Sequence, residues 1–510
     1  MKTLPRIDTA RHFINGEFTD PAAGGSFPTL NPATNQPITS VAAGTGEDID
    51  RAVWAARGAF DDGPWRRMSP AERARALVRI AEGIEERVEE IARLECLDTG
   101  IPFSQIRHGQ IPRAAENFRF FAEMATTVPN ETFPVEGAFL NYTIRVPAGV
   151  AGLITPWNTP FMLETWKVAP CLAAGCACVL KPAEWAPLSA TLLAQIIQEA
   201  GLPPGVFNVV HGYGESAGAP LVAHPGVQLI SFTGETTTGQ EIMRNGAATL
   251  KRYSMELGGK SPVIVFPDAD LDRALDATIA GVFTLNGERC TANSRLLVDR
   301  RIADEFTRRL VDRVARLRVG EPMDPATEVG PLIHPEHWER VSGYIEVGLA
   351  EDAHLATGGR RPAHLPQGNY LEPAVFTGVR NEMRIAQEEI FGPVLVVIPF
   401  TDESDAVKLA NDVRYGLAAY LWTGDVSRAH RVAQALEAGM VWTNSQNVRD
   451  LRTPFGGMKH SGIGREGGHY SFEFYMEYKT IHVATGTHPI PKMGKGDAPR
   501  PTDLRKLNNG

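Results

Sequence analysis

Residues 149–157, GVAGLITPW, open a series whose spacing decides the fold. CVLKP follows at 178–182, FNVVHG at 207–212 and LISFTG at 229–234, each a short, largely apolar run of strand-forming residues. Between them stand FMLETWKVAPCLAAG (161–175) and LSATLLAQIIQEAG (188–201), both helical in pattern and both closed by glycine. Apolar strands alternating with helices bury both faces of a sheet when the strands run parallel and the helices cover it on two sides. A second α/β series runs from SPVIVF (261–266) through SRLLVD (294–299) and the helical IADEFTRRLVDRVARLRVG (302–320) to FGPVLVVIPF (391–400) and AGMVWTN (438–444). The chain reads as α/β, doubly wound, with a second domain behind the first.

Upstream, Ser69-Pro70-Ala71-Glu72 combines an N-cap serine, proline at the first helical position and a capping-box glutamate. Leu77, Ile80, Ile84, Val88, Ile91 and Leu94 then recur at spacings of three and four, which predicts one helix running from there to Gly100. Only the last stretch, from His488 to Gly510, has the Pro, Gly and charge content of a poorly ordered tail.

The 510 residues exceed what a single core organises, so more than one domain is expected. With 43% hydrophobic and 22% charged residues and no apolar run of about 18 residues, no membrane span is expected. A net charge of -9 argues against a nucleic-acid partner. The N-terminus lacks the basic segment and apolar core of a secretory signal, and a cytoplasmic location is expected. Cys96, Cys171, Cys176, Cys178 and Cys290 show no metal-ligand spacing, so free thiols and no metal are expected.

Several residues could carry chemistry, each beside a plainer reading. In LISFTGETTTG (229–239) a strand runs into Gly234 and a helix start, where unpaired N–H groups can bind phosphate; an ordinary βα turn would look the same. Lys181 and Glu184 sit at the carboxyl end of a strand, where cofactors bind in open sheets, or they form a surface ion pair. Cys290 lies in the polar stretch NGERCT beside Arg289, without a local histidine, and is a reactive thiol or a small hydrophobe. Glu256, followed by two glycines in MELGGKSP, is a general base whose pKa burial could raise, or a structural carboxylate. Asn158 in ITPWNTPF offers an N–H to an oxyanion, or serves a turn.

Taken in order, PWNTP, KPAE, FTGETTTG, MELGGK, GERC, EEIFGPV and PFGGMKHSGIGRE resemble the motif set of the aldehyde dehydrogenase superfamily, over nearly the whole chain. The resemblance implies that fold: a Rossmann-like NAD-binding domain (1–130 and 149–258), an α/β catalytic domain (259–458), a small β oligomerisation extension (131–148 and 475–490) and a tail (491–510). Phe139 to Val146 and Tyr478 to Ala484 fit the extension as strands, and a homodimer or homotetramer follows. It implies Cys290 as nucleophile, Glu256 as general base, and Asn158 with the Cys290 backbone N–H as oxyanion donors. Lys181 and Glu184 are placed at the adenosine ribose, Trp157 and Gly234 near the pyrophosphate, and Glu389 with Phe391 at the nicotinamide ribose. Further cofactor contacts are implied at Thr155, Gly214, Phe232, Glu235 and Leu257. Glu184 favours NAD, because a carboxylate repels the extra phosphate of NADP. Glu235 stands where many relatives have a serine on the pyrophosphate, and Arg289 and Thr291 flank Cys290 where many have a second cysteine.

ETWKVAPCLA, NGERCTANSR, NSQNVRDLRTPFGG and HPIPK are similar to the branch that acts on carboxylated semialdehydes from aromatic breakdown. This implies 5-carboxymethyl-2-hydroxymuconate semialdehyde as substrate, with 2-hydroxymuconate or 2-aminomuconate semialdehyde or an aromatic aldehyde as alternatives. A thiol esterase and a non-catalytic family member are the rival functions. Carboxylates call for fixed arginines, and the resemblance implies Arg113 and Arg449, with Arg452 and Trp166, in the substrate tunnel.

Overall fold

The computed structural model describes residues 7–135, 137 and 139–494. Residues 495–510, most of the expected tail, lie outside the described residues.

The four opening runs are strands, Val150–Ile154, Ala177–Lys181, Phe207–Val209 and Leu229–Thr233, joined in one sheet by Arg252–Glu256. These five are parallel, and Val150–Ile154 lies between Ala177–Lys181 and Leu229–Thr233. The strand order thus reverses beside Val150–Ile154, and an open parallel sheet has its binding crevice outside the carboxyl ends at such a point. Register sharpens this: Lys181 pairs with Ile154, Ile154 with Phe232 and Phe232 with Met255, so the chain leaves every strand at one edge. Antiparallel strands close both flanks, Gly462–Ile463 at one and His12–Ile14 with Glu17–Thr19 at the other. The first of these comes from far downstream and was not foreseen.

The helix Pro160–Ala174 covers one face and is buried except at Met162 and Leu163. Being apolar nearly all round, it packs on the sheet and on further helices together. The second sheet holds seven strands, Pro262–Val265, Arg295–Asp299, Val394–Phe400, Ala418–Trp422, Met440–Thr443 and Ala374–Thr377 in parallel, with His354–Thr357 antiparallel at one edge. Buried apolar side chains fill both faces of it. A third, three-stranded sheet pairs Met476–Ala484 with Phe139–Pro147 and that with Thr132–Pro134, one residue beyond the expected extension strand at Pro147 and two before it at Met476. No helix among the described residues is long and apolar enough to cross a membrane.

The helix opened by Ser69 is capped as expected: its Oγ accepts from Glu72 N at 3.3 Å and the Glu72 carboxylate accepts from Ser69 N at 2.8 Å. It does not reach Gly100. Pro70–Glu86 and Val88–Thr99 are separate helices divided at Arg87, whose φ of -112° and ψ of 16° break the ladder. The apolar spacing runs through the break because both halves are buried, but the first packs on Ile111–Ala125 and Pro160–Ala174 and the second on Leu188–Glu199. Tertiary packing, not local propensity, sets the bend.

Candidate active site

Two cavities meet at the carboxyl edge of the first sheet, one of about 1280 Å³ and one of about 800 Å³. They share Pro156, Trp157, Trp185, Thr233, Gly234 and Glu235, so together they form one cleft running across the strand-order reversal. The larger is lined by Thr155, Lys181, Glu184, Gly214 and Phe232, and the smaller by Asn158, Leu257, Cys290, Glu389 and Phe391. Every cofactor residue expected from the sequence therefore faces this cleft.

In the outer part Lys181 Nζ meets Glu184 Oε2 at 2.9 Å, leaving the second carboxylate oxygen free to accept. The buried hydroxyl of Thr155 has no partner, that of Thr233 bonds Glu256, and both residues line the cleft. The Gly234 N–H donates to Glu256 O at 3.1 Å, so that particular N–H is spent inside the sheet. Glu235 is the N-cap of the helix Thr236–Gly246, yet its side chain makes no cap bond and lines both cavities.

At the inner end Cys290 is half-buried and follows an unusual turn. Leu285, Asn286 and Gly287 all adopt left-handed φ, of 54°, 58° and 76°. The buried Asn286 amide holds this turn, donating to Pro331 O at 2.9 Å and Gly100 O at 3.2 Å and accepting from Gly330 N at 2.7 Å. Left-handed leucine is costly without such bonds. Burial and the neighbouring Glu256 carboxylate push the Cys290 thiol well up, against a smaller opposing pull from Arg289. The thiol is accordingly protonated until a base takes its proton.

Glu256 ends the strand Arg252–Glu256 and is buried. Burial first, and then Glu466, raise its carboxyl to about 7, against lowering by Lys167 and by hydrogen bonds from Cys290 and Thr233. Its Oε1 has no partner. Behind it, Glu466 accepts from Lys167 Nζ at 2.8 Å, Trp166 Nε1 at 2.7 Å and Ser231 Oγ at 3.1 Å. The two glycines after Glu256 admit protein rather than a ligand alone: a Cβ on Gly258 would strike the Glu389 carboxylate, and one on Gly259 would lie 2.5 Å from Cys290 O. Glu389 in turn accepts from Gly259 N at 2.8 Å, and burial raises it to about 7.

Two of the three expected arginines come together. Arg113 and Arg449 each lie 5.6 Å from the ring of Trp166, and Arg449 also stands 3.9 Å from that of Phe455. Arg113 Nε donates to Asn117 Oδ1 at 3.1 Å, and among the described residues neither guanidinium forms an ion pair. Burial lowers both, Arg113 to about 10. Arg449 is within electrostatic reach of Glu256 and Cys290. Arg452 does not join them, because it is exposed and folded back on Asp450 at 2.6 Å, two residues away. Proximity in sequence outcompeted the site.

Residues 18–481 match the aldehyde dehydrogenase family. The chain belongs to that family. The 5-carboxymethyl-2-hydroxymuconate semialdehyde dehydrogenase of Escherichia coli is 52% identical over 465 residues, which cover 90% of this chain and 98% of that one. The crystal structure of HpcC from Thermus thermophilus superposes with a TM-score of 0.94 at 56% identity, covering 96% of this chain and 95% of that one. An NAD+ complex of aldehyde dehydrogenase from Bacillus cereus does so with a TM-score of 0.92 at 43% identity, covering 94% and 97%.

Trp185, His337 and Arg340 are among the residues of this aldehyde dehydrogenase's cleft that the sequence reading did not name. Trp185 directly follows Glu184 and stacks on His334 at 4.6 Å with the rings 6° apart. His337 and Arg340 lie on the helix Pro335–Ala350 at a spacing of three, which places them on one face. His337 Nε2 bonds Phe391 O at 2.8 Å, and its ring packs 4.9 Å from Trp157, while burial lowers it to about 4 and keeps it neutral. Arg340 donates to Glu389 O at 2.8 Å and Ile390 O at 3.2 Å, fixing the segment that carries Glu389 and Phe391. Trp185 was findable as the neighbour of KPAE; nothing local marks the other two.

Proposed function

We propose that this aldehyde dehydrogenase uses NAD to oxidise a carboxylated semialdehyde, 5-carboxymethyl-2-hydroxymuconate semialdehyde foremost, to its acid through a thioester on Cys290. One observation carries the substrate: two half-buried guanidinium groups share the Trp166 ring, one of them within electrostatic reach of Cys290, with no carboxylate of the described residues paired to either. Buried unpaired cations are costly, and a carboxylated substrate relieves that cost. The E. coli relative's named substrate supports the same choice.

The cleft fits a dinucleotide. The orphaned hydroxyl of Thr155 and the free oxygen of Glu184 suit ribose and phosphate, and the aromatic wall of Trp157, Trp185 and Phe391 suits flat rings. In this reading Lys181 and Glu184 hold the adenosine ribose, with Thr155, Gly214 and Phe232 around it. Trp157, Gly234 and Glu235 lie along the pyrophosphate. Leu257, Glu389 and Phe391 hold the nicotinamide end. NAD supplies the two-electron oxidant when bound.

Glu256, next to the thiol and half-ionised near neutrality, takes the Cys290 proton, and Sγ attacks the aldehyde carbon. Asn158 Nδ2 carries two hydrogens; one is fixed on Glu288 O at 2.8 Å, and the other is left to bond the oxyanion together with the Cys290 N–H. Glu256 passes the thiol's proton to solvent and, after oxidation, draws a proton from water; the water oxygen adds to the thioester carbon, the C–S bond breaks, the acid leaves and Glu256 returns its proton to the thiolate. Arg113 and Arg449 bind the substrate carboxylate and orient the aldehyde. The division into a cofactor domain (1–130 and 149–258), a catalytic domain (259–458) and a β extension (131–148 and 475–490) matches these tasks. Pairing of the extension between subunits of a cytoplasmic homodimer or homotetramer completes the reading.

The test is NADH absorbance with purified protein, NAD and 5-carboxymethyl-2-hydroxymuconate semialdehyde, beside 2-hydroxymuconate semialdehyde, benzaldehyde and Cys290→Ala. A kcat/KM for the first substrate more than about tenfold above benzaldehyde, a difference of about 1.4 kcal/mol, is expected. Equal or better use of benzaldehyde overturns the substrate reading.

A further inference from the structure

The third arginine at the reacting end is Arg289, which precedes Cys290 directly and is half-buried. Among the described residues its guanidinium makes no hydrogen bond and no ion pair. Its charge reaches both the Cys290 thiol and the Tyr420 hydroxyl. Tyr420 ties this loop to the one bearing Arg449. Its hydroxyl donates to Thr291 O at 2.9 Å, its ring stacks on Trp442 at 5.2 Å with the planes 13° apart, and Trp442 Nε1 donates to Val448 O at 2.8 Å. Arg289 and Arg449 therefore stand on loops braced by one aromatic stack. Cys290 is adjacent to Arg289 in the chain and within electrostatic reach of Arg449.

Helices elsewhere in this protein engage their arginines in local ion pairs, as Arg57 with Asp61 at 2.6 Å or Arg384 with Glu388 at 2.9 Å. An arginine held half out of water without a partner beside a nucleophile is a site waiting for an anion. The proposed substrate has two. A muconate semialdehyde keeps one chain-end carboxylate, and the carboxymethyl branch adds another. With the aldehyde at carbon 6, the branch carboxylate is separated from the reacting carbon only by carbon 5 and a methylene, whereas the chain-end carboxylate lies at the far end.

We propose that Arg289 binds a second carboxylate, the one branching beside the aldehyde, and so sets this enzyme's preference for dicarboxylated over monocarboxylated semialdehydes. Arg113 and Arg449 take the distal carboxylate that both substrate classes share. The inference rests on the carboxylated-semialdehyde reading above.

The experiment compares Arg289→Gln, Arg289→Lys and wild type on 5-carboxymethyl-2-hydroxymuconate semialdehyde and 2-hydroxymuconate semialdehyde, with benzaldehyde as the neutral control. Arg289→Gln should lower kcat/KM for the dicarboxylated substrate roughly 10- to 100-fold, mostly through KM, and that for the monocarboxylated one by less than about threefold. Arg289→Lys should recover part of the loss, since it keeps the charge but not the fork. Retained activity on the monocarboxylated substrate also shows that the variant is folded. If both substrates and benzaldehyde fall equally, Arg289 serves the thiol and not a carboxylate, and the inference is overturned while the substrate reading stands. If wild type does not favour either carboxylated substrate over benzaldehyde, the reading beneath it fails first.

Discussion

Asn158 donates a side-chain N–H to the backbone carbonyl of Glu288 at 2.8 Å, across 130 residues of chain. The bond joins the loop leaving the first sheet to the loop that carries Cys290, and it aims the remaining N–H. Asn158→Asp keeps the shape but replaces both donors with a negative charge. We expect kcat to fall roughly 100- to 1000-fold, with NAD affinity, read by fluorescence titration, changed by no more than about threefold. A kcat within about tenfold of wild type would remove Asn158 from the oxyanion site.

The carboxyl of Glu256 sits at about 7, so its basic form is lost as the pH drops below that value. A rate that depends on Glu256 as base should show an acid limb near pH 7, rising toward alkaline pH. Glu256→Gln should cost about 100- to 10,000-fold in turnover, and the limb should vanish from what remains. Persistence of the same limb in the variant would assign it to another group.

Lys167 lowers Glu256, while Glu466 raises it. Lys167→Met therefore moves the acid limb to higher pH, and Glu466→Gln moves it lower. These two opposite shifts separate an electrostatic role from a merely structural one, which would reduce the rate without displacing the limb. Shifts in one direction for both variants would contradict the arrangement around Glu466.

Arg113 and Arg449 share one ring, so their losses should not add. Each single change to Gln should raise KM for a carboxylated semialdehyde roughly 10- to 100-fold with little effect on benzaldehyde, and the double variant should lose less than the product of the two. Arg452→Gln, which only breaks an exposed pair with Asp450, should leave kinetics within about twofold. A strong KM effect from Arg452 would place it at the substrate after all.

What the sequence revealed follows from range of interaction. Strand runs such as 150–154 and 229–233, buried on both sides, announce themselves by composition, and Glu256 and Asn158 lie in compact motifs at the end of a strand or just beyond, as Cys290 does just after a helix. The bend at Arg87 could not be read, since the apolar period continues through it while the two helices differ in their main packing partners. Nor could the strand Gly462–Ile463, two residues long, which exists because Arg252–Glu256 offers it an edge. His337 and Arg340 reach the cleft from a separate helix, a placement with no local signature. The left-handed run Leu285–Asn286–Gly287 is likewise a product of distant bonds to residues 100, 330 and 331.

Away from the cleft, Glu95, Asp98 and Glu164 are buried together. Glu95 accepts from Phe161 N at 3.1 Å with its other oxygen unpartnered, and Asp98 accepts from Leu188 N at 3.0 Å and Thr29 Oγ1 at 2.7 Å. Burial raises Glu95 to about 8 and Asp98 to about 7, and drives Glu164 up as well. In the unfolded chain these groups titrate near about 4. The folded protein thus holds protons the unfolded chain has released, and their contribution to stability is lost as pH rises from the unfolded values through about 8. The buried histidines His12, His211 and His337, lowered to about 4, about 3 and about 4, act in the opposite sense, but only below the ordinary histidine pKa of about 6.5. Lys260 and Lys251, lowered by burial to about 7 and about 8, oppose the carboxyls above those values, but two amines against three carboxyls leave a net decline between about pH 6.5 and 8.5. Urea midpoints across that range should decline for wild type and decline less steeply for Glu95→Gln, which keeps the shape and cannot ionise. A variant that declines as steeply as wild type would show that Glu95 is not the group losing its proton.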